Sequence, residues 1–477
     1  SYDLSPDSLY CKLAGEQGLP VKLWLVNEDG TSFFTGEGEI PGLGVPSTGS
    51  PKCDAYKWAL ERWVKSGKCA PGITAYYIDY YWALYTKNDR SEMHTLTNQD
   101  YFIANKAFFF DLSPWGDEVA TDEPGSPVGL DKQVFFEVMH ALYEQAEGGI
   151  LQVGGFPAWP YKYTSSGQVG GKHEPVPTEW EFGKLISQFN GYMEADAAGL
   201  GGIANASFHQ HYPLKVQYDQ PNPKPTFEDW KAAGYITPEG KVANLCFVSH
   251  YVGDYDSPSW FYKAMPVFFN DPRRGETPLP WAPVPILSDR VPQAMAYVYE
   301  NASPKDYFIA GDSGAGYLNP RALTVRPETG LPSGLAAWTE HCIRYYSRWG
   351  MSISGFVLDG SGGASTEEEW AAYKQFSPDG LGTHFDPGIA VHQGIGACRE
   401  IDLDGTPEQA AADIARRARG VNEGPVFQWR RSILKSPTWY AEVADALATG
   451  QPEINAVVVD PYTFFGLIKY HLEHKGS

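Results

Sequence analysis

Five apolar runs in this chain end in an aspartate: Phe-Phe-Phe-Asp111, Tyr-Val-Gly-Asp254, Ile-Ala-Gly-Asp312, Phe-Val-Leu-Asp359 and Val-Val-Val-Asp460. If each run is a strand of one parallel sheet, all the carboxylates arrive at the same edge, where α/β barrels hold their chemistry. Carboxylates gathered in this way drive each other's pKa values apart, which supplies both a proton donor and an ionised base or nucleophile. Taken singly, each aspartate also suits a helix cap or turn, Asp460 before Pro461 above all. Glu174 adds a carboxylate of another kind. It lies in a loop beside Lys172 and His173, ahead of the helix start at Thr178, whereas Glu179 and Glu181 serve the dipole of that helix. The catalytic candidates are therefore Glu174, Asp254, Asp312 and Asp359. Asp111, Asp256, Lys172, His173, His211, Tyr251 and Trp281 are candidates to bind substrate, with Trp159 as a ring platform.

Two other patterns carry less. Gly311-Asp-Ser-Gly314 is similar to the nucleophile segment of chymotrypsin-like proteases, but those are all-β double barrels and this chain alternates strands with helices. His209-x-His211 has a spacing found in metal sites, yet no third ligand is predicted nearby. No metal or other cofactor is expected.

The elements that must position these residues run from about residue 105 to the end. Strands are predicted at 107–110, 150–153, 203–208, 245–250, 282–287, 307–310, 352–358, 389–392, 426–429 and 456–459. Helix starts lie between them: capping boxes at Thr178–Glu181, Ser365–Glu368 and Thr406–Gln409, and Ser-Pro starts at Ser257 and Ser436. Such alternation predicts an α/β fold, a TIM-like β/α-barrel over 106–477, with some irregularity because ten strands are too many for eight places. Residues 1–105, Gly/Pro-rich between Gly36 and Pro51 with a strand at 21–26, are expected to form a smaller α/β domain.

The chain has 477 residues and a formal net charge of −21, with no cluster of Lys and Arg beyond short pairs. That balance excludes phosphate-reading partners such as nucleic acid and disfavours an anionic membrane surface. No apolar run is long enough to span a bilayer. A neutral substrate fits better, and 15 Trp and 29 Tyr offer faces for the C–H surfaces of sugars as well as material for the core. Six cysteines lack any Cys-x-x-Cys pair, which argues against a zinc knuckle. A Cys53–Cys69 disulfide and two sequons, at Asn205 and Asn301, set the expectation of a secreted glycoprotein.

The segment Gly314-Ala-Gly-Tyr-Leu-Asn-Pro320 resembles the signature of the GxGYxYP putative glycoside hydrolase family, with Asn319 in place of the second motif tyrosine. Residues 108–115, 172–175, 251–256 and 460–465 resemble it as well. The resemblance implies a carbohydrate-processing enzyme with an N-terminal domain leading into a barrel-like one, and it brings Tyr317 into the candidate cleft. The expected activity is hydrolysis of a glycosidic bond in an oligo- or polysaccharide by a pair of carboxylates. The alternatives are a non-catalytic glycan-binding protein and a metal-dependent esterase or deacetylase acting on glycans.

Overall fold

The computed structural model describes residues 5–8, 11–21, 23–76, 99–117, 119–120, 123–155, 178–194, 205–360, 362–385, 388–419 and 424–475, the side chains at 178, 179, 254 and 259 excepted. The chain forms two compact units. One comprises Ser1–Cys69, Leu112–Ala141 and Trp159–Pro175; the other comprises Ala70–Asp111, Leu142–Ala158 and Val176–Ser477.

In the first unit the helix Pro51–Ala59 starts at Ser50, whose hydroxyl accepts from the Cys53 amide. Lys52 pairs with the buried Asp131 at 2.8 Å. The expected Cys53–Cys69 bridge is not formed, and both remain thiols. Cys53 instead packs inside, its sulfur 3.5 Å from Asp131, and burial pushes its thiol up to about 12. Among the described residues no strand forms at 21–26; Val26 makes only an isolated bridge to Ser32.

The second unit holds two parallel sheets. The smaller has β1 (Ile73–Tyr76), β2 (Phe108–Phe110), β3 (Leu151–Gly154) and β4 (Gly191–Met193) in the order β2-β1-β3-β4. The larger contains β5 (Cys246–Tyr255), β6 (Leu279–Pro283), β7 (Asp306–Phe308), β8 (Ile353–Val357), β9 (Gly380–Thr383), β11 (Ile395–Asp402) and β12 (Val426–Ile433), in the order β7-β6-β5-β12-β11-β9-β8. β10 (Ile389–His392) forms an antiparallel hairpin with β11, and β13 (Ala456–Val458) lies parallel to β5. A single parallel bridge from Ala310 to Ser354 links the two ends of that order. The β/α expectation is met as a mixed α/β fold with a curled parallel sheet, a half-barrel.

Helix starts explain where most connections turn. Ser257, Ser436 and Asp460 each cap a helix that opens with proline, and Thr406 and Gln409 form the expected capping box. The box expected at Ser365 lies one residue later, between Thr366 and Glu369. Thr406→Ala removes one bond to a free helix amide; we expect a loss of about 1 kcal/mol in a denaturant melt. Of the strand predicted at 203–208, the described part turns instead into the helix Ala206–His209.

The inner face of the curled sheet is filled by rings seated on glycines. A Cβ on Gly253 or Gly355 would fall 1.8 and 2.7 Å from the Tyr251 ring, and one on Gly311 would lie 3.1 Å from its hydroxyl. Trp429 donates its indole N–H to the Gly355 carbonyl at 2.9 Å. Below it, Phe464 and Phe465 of the helix Pro461–Glu473 pack at ring distances of 5.7 and 4.9 Å.

Candidate active site at the carboxyl edge of the curled sheet

Above this apolar filling lies a polar layer built by strand alternation. Residues two apart on a strand share a face, so Glu400 and Asp402 of β11 project together. The neighbouring β12 places Arg431 opposite Asp402. The guanidinium bonds Asp402 at 3.0 Å and stands 3.9 Å from Glu400, whose side chain is nearly buried. A register shift in β8 between Ser354 and Val357 turns Phe356 toward the same place. The Phe356 ring lies under Arg431, 5.1 Å from the guanidinium carbon.

His384, just beyond β9, completes the layer. Its Nε2 is 4.0 Å from Glu400, and its ring stands edge-on to Trp180 at 4.5 Å and tilted to Phe356 at 5.5 Å. Burial, together with the Arg431 and Arg399 charges, lowers the His384 pKa, so near neutral pH the contact with Glu400 is not an ion pair. The Asp359 carboxylate accepts from the backbone N–H groups of His384 and Phe385 at 3.1 and 2.7 Å, which fixes this loop. The buried His384 Nδ1 and Thr383 Oγ1 have no hydrogen-bond partner among the described residues. Buried polar atoms left open in this way mark places where a ligand can supply the missing bond.

The loop after β7 forms one wall. Gly314 and Gly316 have φ of 143° and 137°, open to glycine and strained for other residues. A Cβ at Gly314 would fall 2.9 Å from the Cys342 sulfur, and one at Gly316 only 2.3 Å from the Tyr192 ring. Tyr317 exchanges backbone bonds with Met193 at 2.9 and 3.0 Å, stitching the loop to the end of β4. Asn319 caps the short turn Pro320–Leu323 and donates to the Leu358 carbonyl. Trp180, Tyr317, Asn319, Leu358 and His384 line a narrow crevice there.

Residues 244–469 match the family model of the GxGYxYP putative glycoside hydrolase C-terminal domain. The resemblance read from the motif therefore holds over most of the curled sheet. A solved structure described as a putative hydrolase from Bacteroides thetaiotaomicron is similar in fold, with a TM-score of 0.56 and 16% identity, over 87% of this chain and 69% of that one. No curated protein matches the chain.

Within residues 244–469, Asp254, Asp312 and Asp359 lie at or beyond the ends of β5, β7 and β8 and so share the carboxyl edge of one sheet. The Asp254 side chain lies outside the described residues, as do Trp159, Lys172, His173 and Glu174 altogether. Asp312 is buried at a positive φ of 49°. Asp256 is nearly buried at the end of β5, and Tyr251 and Tyr317 are buried in the positions given above. Trp281 is fully enclosed, its indole donating to Asp306 at 2.7 Å. Asp111 follows β2 in the smaller sheet, and His211 is exposed on a different cleft. Among the described residues no group of three or more His, Cys, Asp or Glu is placed to hold a metal ion.

Glu400, Asp402, Arg431, His384 and Phe356 were not selected from the sequence. Asp402 does end an apolar-alternating run, Ile395–Asp402, but the glycines at 394 and 396 disguise it as a turn. Gly396 is there because a Cβ would meet the Phe465 carbonyl at 2.2 Å.

Proposed function

We propose that the protein is a glycoside hydrolase whose catalytic carboxylates lie on the carboxyl edge of the curled sheet. The observation that carries this reading is the placement of Glu400: a nearly buried carboxylate flanked by Arg431 and by His384, the histidine lining a crevice with Tyr317 and Asn319 of the motif loop. A carboxyl group so placed can pass a proton to the leaving glycosidic oxygen and take one back from water. The second carboxylate, base or nucleophile, comes from the strand-end set Asp254, Asp312 and Asp359, or from Glu174. Trp180 offers a ring face for the sugar, and the open nitrogen of His384 bonds a hydroxyl. The match to the GxGYxYP putative glycoside hydrolase domain supports a carbohydrate substrate, and the net charge of −21 suits one without phosphate.

The test is a panel of defined oligosaccharides, digested by the protein and by its Glu174→Gln, Asp254→Asn, Asp312→Asn, Asp359→Asn and Glu400→Gln variants. Cleavage by the parent, lost in Glu400→Gln and in one Asp or Glu variant, is the expected result. Binding without cleavage of any member would replace the hydrolase with a glycan-binding protein.

A further inference from the structure

A second opening of about 500 Å³ lies in the same compact unit, away from the residues of the carboxyl edge. It is framed by the helix Gln99–Ala104, the segment 210–216, the turn Leu287–Arg290 and the last turn of the helix Leu335–Trp349. Its walls carry Tyr101, Asn105, His211, Lys215, Asp289 and Arg348. In a chain of net charge −21, the gathering of Arg348, Lys215 and His211 on one cleft runs against the general surface.

These bases are not used up by the protein. Arg348 is half-buried, and its guanidinium makes no hydrogen bond or ion pair with a described residue. Lys215 has a loose pairing with Glu300 at 3.6 Å and lies 5.2 Å above the Tyr218 ring, its side chain still 62% exposed. The one acid in the wall, Asp289, is occupied: it accepts the Tyr345 hydroxyl at 2.6 Å. Burial pushes its carboxyl up, against the Tyr345 bond and the Arg344 and Arg348 charges. The Asn105 amide in the wall donates to Gln210 at 2.9 Å and to the Tyr101 carbonyl at 2.8 Å. Tyr212, in the wall of the cleft, is exposed and presents its ring there.

A planar carboxylate matches the guanidinium fork, hydroxyls match the amide and imidazole, and a sugar ring's C–H face matches an exposed aromatic. We propose that this cleft binds a sugar bearing a carboxylate, of the hexuronate class, with Arg348 holding the carboxylate and Tyr212 packing against the ring. This goes beyond the hydrolase reading and does not depend on the groups that would cleave the bond.

Calorimetric titration with a diuronate and with its neutral, uncharged counterpart tests it. The full chain binds the diuronate in preference to the neutral sugar, more weakly as salt rises. Arg348→Gln lowers that affinity about tenfold or more, the scale of a lost charge-assisted bond, and Tyr212→Ala weakens both sugars alike. Glu400→Gln binds the diuronate as the parent does, so a failed hydrolase reading leaves this result standing. No diuronate binding by the parent, equal binding of the two sugars, or an unchanged Arg348→Gln variant overturns the proposal.

Discussion

Glu400→Gln lowers kcat on the cleaved oligosaccharide by about 10³-fold, within the range that positioned general acid–base catalysis contributes, while KM stays near the parent value. The amide keeps the size of the side chain and still meets His384 and Arg431, so the edge is not emptied. Arg431 retains Asp402 at 3.0 Å and is not left as an uncompensated charge. The melting temperature is therefore unchanged, and the loss belongs to proton transfer. The pH–rate profile of the parent shows two limbs, and the variant loses the limb that reports Glu400. Full-rate cleavage by the variant would remove Glu400 from the mechanism and return the choice to the strand-end aspartates.

Gly316→Ala has the largest expected effect on stability. At φ 137° a side chain is strained, and its Cβ would sit 2.3 Å from the Tyr192 ring. Backbone strain and overpacking each cost about 1–3 kcal/mol, and together about 3–5 kcal/mol is a large share of the 5–15 kcal/mol that typically holds a domain together. Tyr192 has little freedom to retreat, being buried and packed on His341 at 5.3 Å. Gly330→Ala is the control: φ is 64° but nothing lies within 4 Å of the added carbon, so only the left-handed cost of about 1–2 kcal/mol remains. Urea unfolding of the two variants separates the contributions, and equal shifts would show that the Tyr192 contact costs nothing.

What was legible in the sequence followed the strength of local signals. Serine, threonine or aspartate ahead of proline marked the starts at Ser257, Thr406, Ser436 and Asp460, because a cap is decided by neighbours in the chain. The runs leading to Asp254, Asp312 and Asp359 were visible as apolar segments ending in one residue type. The β9 and β11 strands were not, since Gly380, Gly382 and Gly396 read as turns. They are glycine for a tertiary reason: Cβ atoms there would meet Phe465, the Gly355 carbonyl and the Phe465 backbone. Missing β11 hid Glu400 and Asp402, and ending β12 at Trp429 hid Arg431. The motif was readable as a tight glycine loop, but its partners, Tyr192 on one side and Trp338 and Cys342 on the other, are set by the fold alone.

The seat of Tyr251 has a consequence for how this protein can diverge. One ring reaches into the space that side chains at 253, 311 and 355 would need, so a change at any of these positions is felt by Tyr251. A smaller residue at 251 leaves a hollow, and alanine at 355 collides both with the ring and with Ile309, each at 2.7 Å, so a smaller residue at 251 relieves only part of that change. At 311 the added carbon would also meet the Ala282 carbonyl at 2.6 Å, so the backbone as well as the ring holds that position to glycine.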